Sequence, residues 1–314
     1  MTAPAVGLGP AGATERLSST PGFFRQIVAR PGGAIGVAIL IAFTVLSIVP
    51  DLLVGPLQTP VSATGHRLEA PSAVHLLGTD EVGRDILNLT VHGTKISMVI
   101  GLLATLITVF LGGVIGVIAG YVGGWIDTIL MRISDFFLVL PTFVLALILT
   151  SMIKGALGSG AKEIFGIRFG LIAIIVVIGI TSWSSTARII RAQTLSLKER
   201  AFVDRARVIG AGDLHIMVRH ILPNVVNLIV ANAVLVFAGA VLTETGLSFI
   251  GLGDPFQPSW GQVLNAAEVA GAAGLGAWWY FFPAGACIVL VVLAFTMVGG
   301  AVDDVLNPRQ RARR

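Results

Sequence analysis

The sequence predicts an all-α membrane protein, a bundle of six transmembrane helices, and three observations lead there. Hydrophobic residues make up 55% of the 314 and charged residues only 12%, with a mean hydropathy of +0.89, whereas a soluble domain carries about 25% charged residues. Six uncharged runs are long enough to cross a bilayer core of about 30 Å, which takes around 20 helical residues. None of them alternates with a period of two, as the strands of a membrane barrel do, so their backbone groups are satisfied inside helices.

The runs are 31–50, 96–126, 136–153, 169–187, 221–243 and 281–302, the last led in by 278–280. The first is long and begins about thirty residues in, without the short apolar region and small-residue cleavage site of a signal peptide, so it reads as a helix that stays. In the second, Gly112, Gly116 and Gly120 recur every four residues beside Gly113, a spacing that lets another helix approach closely in lipid. At the inner end of the third, Arg132 and Asp135 stand three apart and are predicted to pair. The fifth places Asn224, Asn227 and Asn232 within less than half its circumference, with Glu244 at its outer end. A polar stripe on a membrane helix faces protein or water. On the residues alone it either lines a route or bonds a neighbouring helix. The single cysteine, Cys287, lies in the last run, so there is no disulfide framework.

Lys and Arg set the predicted orientation. With the N-terminus inside, the inner pieces hold fifteen of the 21 basic residues, seven of them between Arg188 and Arg219, and the outer pieces hold six. The net charge of +4 follows from this asymmetry and calls for no nucleic acid. The predicted order is a cytoplasmic N-terminal segment (1–30), a first transmembrane helix (31–53) and an extracytoplasmic segment (54–95). A core of five helices follows (96–309), with a cytoplasmic loop at 188–220, and then a basic tail (310–314).

That loop contains "AFVDRARVIGAGDLHIMVRHILPN", residues 201–224, a charged interruption in an apolar chain. Residues 198–209 read as an amphipathic helix, with Phe202, Ala206 and Ile209 on one face and Arg200, Asp204 and Arg207 elsewhere. Gly210 and Gly212 break it, Gly210 in the left-handed conformation that glycine favours, and Asp213 is predicted to cap a second helix. An apolar stripe with a charged rim on an exposed element suggests a docking surface.

The chain carries no energy source of its own. It has no G-x-x-x-x-G-K-[ST] motif, and His215 and His220 do not form H-E-x-x-H. No acid or histidine stands near the middle of a run, where an ion-coupled carrier keeps one. No catalytic or metal site is therefore expected here, and uphill transport would draw its energy from a partner. A membrane enzyme would need a cluster of nucleophile, base or metal ligands that is missing.

Four stretches resemble a known family. Residues Asp204-Arg205-Ala206, Gly210 and His220-Ile221-Leu222-Pro223 are similar to the EAA motif of the membrane-spanning subunits of ATP-binding-cassette importers. Asp replaces the usual Glu, and Arg205 and His220 depart from the general pattern. "RHILPN", from Arg219 to Asn224, looks typical of the peptide-transport branch. "HLLGTDEVGRDILNLTVHGTKISM", 75–98, resembles the G-T-D-x-x-G-R-D element of dipeptide, oligopeptide and nickel permeases, with Gly78, Thr79, Asp80, Gly83, Arg84 and Asp85 in place. "MRISDFFLVLP", 131–141, and "LSFIGLGDPFQPSWGQVL", 247–264, are similar to the same branch.

The resemblance implies a type I importer permease of the MetI-like fold, with both termini cytoplasmic, in a bacterial inner membrane. It implies a second, homologous permease subunit and two ATPase subunits or domains that bind ATP and Mg. It also implies an extracytoplasmic substrate-binding protein. Phe202, Asp204, Arg205, Ala206, Ile209, Gly210 and Arg219 would couple to the ATPases, and Asn224, Asn227, Asn232, Asp135 and Glu244 would belong to the path. Asp80 and Asp85 are read as architectural, through helix capping or pairing with Arg84. Peptides are the expected substrate, since outer clusters of His, Cys or Met that would suit nickel are missing. Nickel and other small solutes are the alternative, and a secondary transporter is the rival class.

Overall fold

The computed structural model describes residues 23–157, 163–164 and 166–306. The first part of the N-terminal segment, the basic tail 310–314 and Lys162 lie outside the described residues. A short helix α1 (Phe23–Val28) precedes α2 (Pro31–Ile48) and α3 (Pro50–Val54), and α4 (Ile86–Val122) then crosses back. Next come α5 (Gly124–Val139), α6 (Thr142–Leu157), a two-stranded hairpin of β1 (Glu163–Ile164) and β2 (Ile167–Arg168), and α7 (Phe169–Lys198). The chain continues through α8 (Ala201–Val208), α9 (Asp213–Ile216), a π turn (Met217–Ile221) and α10 (Leu222–Leu247). A second π turn (Ser248–Leu252), α11 (Trp260–Val269) and α12 (Trp278–Leu306) complete the order. Among the described residues, five helical segments are long and apolar enough to cross a membrane, and a bent pair, counted as one span, makes a sixth.

That bent pair corrects the third predicted run. Instead of one helix over 136–153, α5 and α6 meet at about 90°. Leu140 is extended (φ −75°, ψ 133°) just before Pro141, because a proline ring disfavours the helical region for its predecessor and offers no N–H to continue the ladder. Gly123 and Gly124, with φ of 71° and 59°, turn the chain between α4 and α5. The predicted Arg132–Asp135 pair is not formed either; Asp135 instead accepts from Arg188 on α7. A cross-helix partner displaces the local one because α5 lies against α7 there, where Ser134 donates to the Ser184 carbonyl at 3.3 Å.

The glycine ladder of α4 seats α7. A Cβ on Gly116 would lie 2.6 Å from the Ala187 carbonyl oxygen, and one on Gly112 or Gly120 would lie 2.8 Å from the carbonyl of Trp183 or Arg191. With only hydrogen at these positions the two backbones come together, and dispersion replaces the hydrophobic drive that lipid does not supply. The same device holds α2 on α12, where a Cβ on Gly36 would meet the Ala294 carbonyl at 2.7 Å.

The second run starts earlier than its hydropathy indicates, at Ile86 rather than 96, because Asp85 accepts the Leu87 N–H at 2.7 Å and caps the helix. At 37 residues and about 1.5 Å per residue, α4 outruns the bilayer and carries its first turns into a cap. Residues 55–85 and 253–277 build that cap at one end of the bundle, and residues 199–213 form the loop at the other. Trp260, fully buried, joins the cap to the bundle by donating its indole N–H to the Thr90 carbonyl at 3.1 Å and its backbone N–H to Ser97 at 3.1 Å.

Candidate functional site

The loop end is built on Tyr121, Asp213 and a glycine turn. Helix α7 runs on to Lys198, so the amphipathic segment begins only at Ala201. It closes in a Schellman motif: the Gly210 N–H donates to the Arg207 carbonyl at 2.9 Å and the Ala211 N–H to that of Ala206 at 3.0 Å. Gly210 adopts φ +86° with open space around it. Asp213 does not cap α9 as predicted. It begins that helix and accepts from the Tyr121 hydroxyl at 2.7 Å, which ties the loop to the end of α4. Lys198 and Arg207 stand over the Tyr121 ring at 5.7 and 5.8 Å, within reach of a cation–π contact.

The apolar face of α8 also differs from the predicted one. Val203 and Ala206 are buried against Ile216 and Ile221 and seat the helix on the bundle, with Phe202 half-buried beside them. Ile209 is not on this buried face: Val208, Ile209 and Leu214 are 87%, 83% and 71% exposed. Helical spacing placed Ile209 with Ala206, but the helix ends at Val208 and the glycine turn swings the chain away. The tip is therefore apolar, with Asp204, Arg207 and Arg219 exposed around it. Asp204 pairs with Arg207 at 3.3 Å and Arg205 donates to the Ala201 carbonyl at 3.2 Å, while Arg219 has no ion pair among the described residues.

The predicted path residues are not brought together. Asn224 donates to the His220 carbonyl of its own helix at 2.6 Å, Asn227 is exposed, and Asp135 is held by Arg188. Glu244 is fully buried, accepting from Ser248 at 2.7 Å and Ser97 at 3.4 Å, so it fastens α10 to α4. Its terminal position hid this, because the π turn extends the helix and α11 folds over it. Asn232 lies in an open groove of about 380 Å³ between α7 and α10, and donates to Thr186 at 2.8 Å. Sequence reasoning missed Ser182, Ser185 and Thr243 in the same groove. The signal was there for two of them, in the "TSWSST" stretch that interrupts an otherwise aliphatic run.

The outer family element is a compact polar knot. The buried Asp80 carboxylate accepts from the backbone N–H of Val82 at 2.9 Å and of Arg84 at 2.8 Å, and from the Arg84 guanidinium at 2.6 Å. Thr79 donates to the His66 carbonyl at 2.6 Å and accepts the Glu69 N–H at 2.8 Å. Gly78 and Gly83 take φ of 69° and 88°, and a Cβ on Gly83 would strike the Gly65 carbonyl at 2.2 Å.

Residues 112–312 match the family described as binding-protein-dependent transport system inner membrane component. The chain belongs to this family. It is a multi-pass permease component of an ATP-binding-cassette importer. This permease is 40% identical over 241 residues to a putative peptide permease protein of Brucella suis biovar 1, covering 76% of this chain and 75% of that protein. It is 38% identical over 240 residues to the oligopeptide transport system permease protein OppC of Lactococcus lactis subsp. cremoris, with 76% and 77% covered. The protein of the same name from Mycobacterium tuberculosis is 34% identical over 248 residues, with 79% and 80% covered.

Proposed function

We propose that this permease imports peptides, forming a path with a second permease subunit and receiving work from ATPase subunits through residues 201–219. The observation that carries this is the loop end itself: a helix seated on the bundle by Val203 and Ala206, closed by Gly210, and ending in an exposed apolar tip with a charged rim. A rigid short helix with such a tip suits a cleft on a partner that moves, since a push on it reaches α4 through Tyr121 and α10 through the π turn. ATP and Mg would be bound by those partners, and an extracytoplasmic binding protein would deliver solute at the cap end. Peptide as substrate is supported by what the relatives are named for.

The coupling role has a direct test. Gly210→Val forces a β-branched residue into the left-handed region, at a cost of about 1–2 kcal/mol, and Asp204→Lys reverses the charge of the rim. Both variants should insert in the membrane, lose co-purifying ATPase subunits and lose uptake. Normal binding-protein-stimulated ATP hydrolysis and normal uptake in both would remove residues 201–219 from the motor contact. The basic residues gathered at the loop end support a cytoplasmic position for it. In a Cys287→Ser background, a cysteine at Ala266 should react with an impermeant thiol reagent added outside intact cells, and one at Ala211 should not. Labelling of Ala211 alone would invert the orientation.

A further inference from the structure

The groove between α7 and α10 has a chemistry of its own. Its walls carry Ser182 and Ser185 from α7, Asn232 and Thr243 from α10, and aliphatic side chains such as Ile189 and Val236 between them. At about 380 Å³ it is in the range of roughly 300–1,000 Å³ typical of ligand pockets. No charged side chain lines it. The charge one helical turn beyond Ser185 is Arg188, whose guanidinium is held by Asp135, so the mouth adds no net charge.

The hydrogen-bonding capacity of these groups is only partly used. Thr243 donates its hydroxyl proton to the Gly239 carbonyl of its own helix at 2.9 Å, and Ser185 to that of Ser182 at 3.5 Å, which leaves their oxygen lone pairs free to accept. Asn232 spends one amide proton on Thr186 and keeps a second proton and its carbonyl oxygen. Ser182 is half-buried and its hydroxyl makes no hydrogen bond among the described residues. The groove thus offers donors and acceptors along an apolar floor. That is what a main-chain amide needs, with an N–H to be accepted and a C=O to be donated to, and nothing in it selects for or against a charged side chain.

We infer that this groove is this chain's half of the solute route and a subsite for the main chain of a peptide, indifferent to the charge of the peptide's side chains. The inference rests on the reading of the protein as a peptide permease. On that basis Asn232 is the residue through which charge selectivity enters most easily: it projects into the groove from α10 and keeps most of its size when changed to Asp.

The test uses the full importer in proteoliposomes with its binding protein and ATP, and three labelled tripeptides: Ala-Ala-Ala, Ala-Lys-Ala and Ala-Glu-Ala. Rates are expressed as the Lys-to-Glu peptide ratio relative to wild type, which cancels any preference of the binding protein. Asn232→Asp should raise this ratio about tenfold and Asn232→Lys should lower it by a similar factor, because an uncompensated charge in a partly desolvated site repels its like. Ser185→Asp should raise it as well, so the outcome does not depend on one position tolerating substitution. Opposite shifts cannot come from a general loss of folding, which would lower both rates together. Wild-type transport with an unchanged ratio in every variant that transports would overturn the subsite alone. Wild-type transport of none of the three peptides would overturn the peptide reading, and the subsite with it.

Discussion

The two ends of the molecule are built on opposite plans. At the cap end, several ionisable and amide groups are buried and answered: Asp80 is closed in by Arg84 and two backbone N–H groups, Glu244 by Ser97 and Ser248, and Asn88 bridges Val54, Pro56 and Gln58. At the loop end the corresponding charges lie in the open. Asp204 and Arg207 are both exposed, and beyond the π turn the loop's link to α4 includes one phenol–carboxylate bond between Tyr121 and Asp213. Buried, fully paired polar groups resist rearrangement because breaking any one strands another, whereas exposed charges can exchange a local partner for a new one. One end is built to hold its shape, and on the proposed function the other is the end that a partner would grasp.

Substitutions test that contrast, and the largest effect is expected in the cap. Asp80→Ala strands a mostly buried guanidinium and two backbone N–H groups, and removing one partner of a buried pair costs about 3–5 kcal/mol. The purified variant should show a sharply lower thermal midpoint in detergent, and an unchanged midpoint would make the cap no more rigid than the loop. Gly116→Val attacks the seam that connects the two ends. Its new Cβ would lie 2.6 Å from the Ala187 carbonyl and 2.8 Å from Ile190 Cβ, so α4 and α7 must part, with a penalty of about 1–3 kcal/mol by the measure of overpacked cores. On the proposed function, uptake should fall even where the protein inserts, since motion of the loop would no longer reach the cap. The smallest effect is expected at the rim, where Asp204→Ala removes an exposed pair worth less than about 1 kcal/mol. Its thermal midpoint should match wild type within error, and a loss comparable to that of Asp80→Ala would erase the distinction between the ends.

Much was legible from the residues alone. Composition and six apolar runs determined that the chain is a helical membrane bundle, because a bilayer demands internal backbone pairing over a length that hydropathy measures directly. The glycine ladder announced a close helix contact, and Gly210 announced a left-handed turn, since both follow from the missing Cβ, a property of the residue rather than of its surroundings. Tertiary structure decided everything that depends on which surface meets which. Asp135 passed over its neighbour Arg132 for Arg188, Asp213 left the helix end for Tyr121, and Ile209 was separated from Ala206 when the helix stopped. Glu244, in the sequence a charge at the outer end of its helix, became a buried fastener once α11 covered it. For Asp135 and Asp213 the local role implied by spacing gave way to a distant group that packing had brought within hydrogen-bond reach.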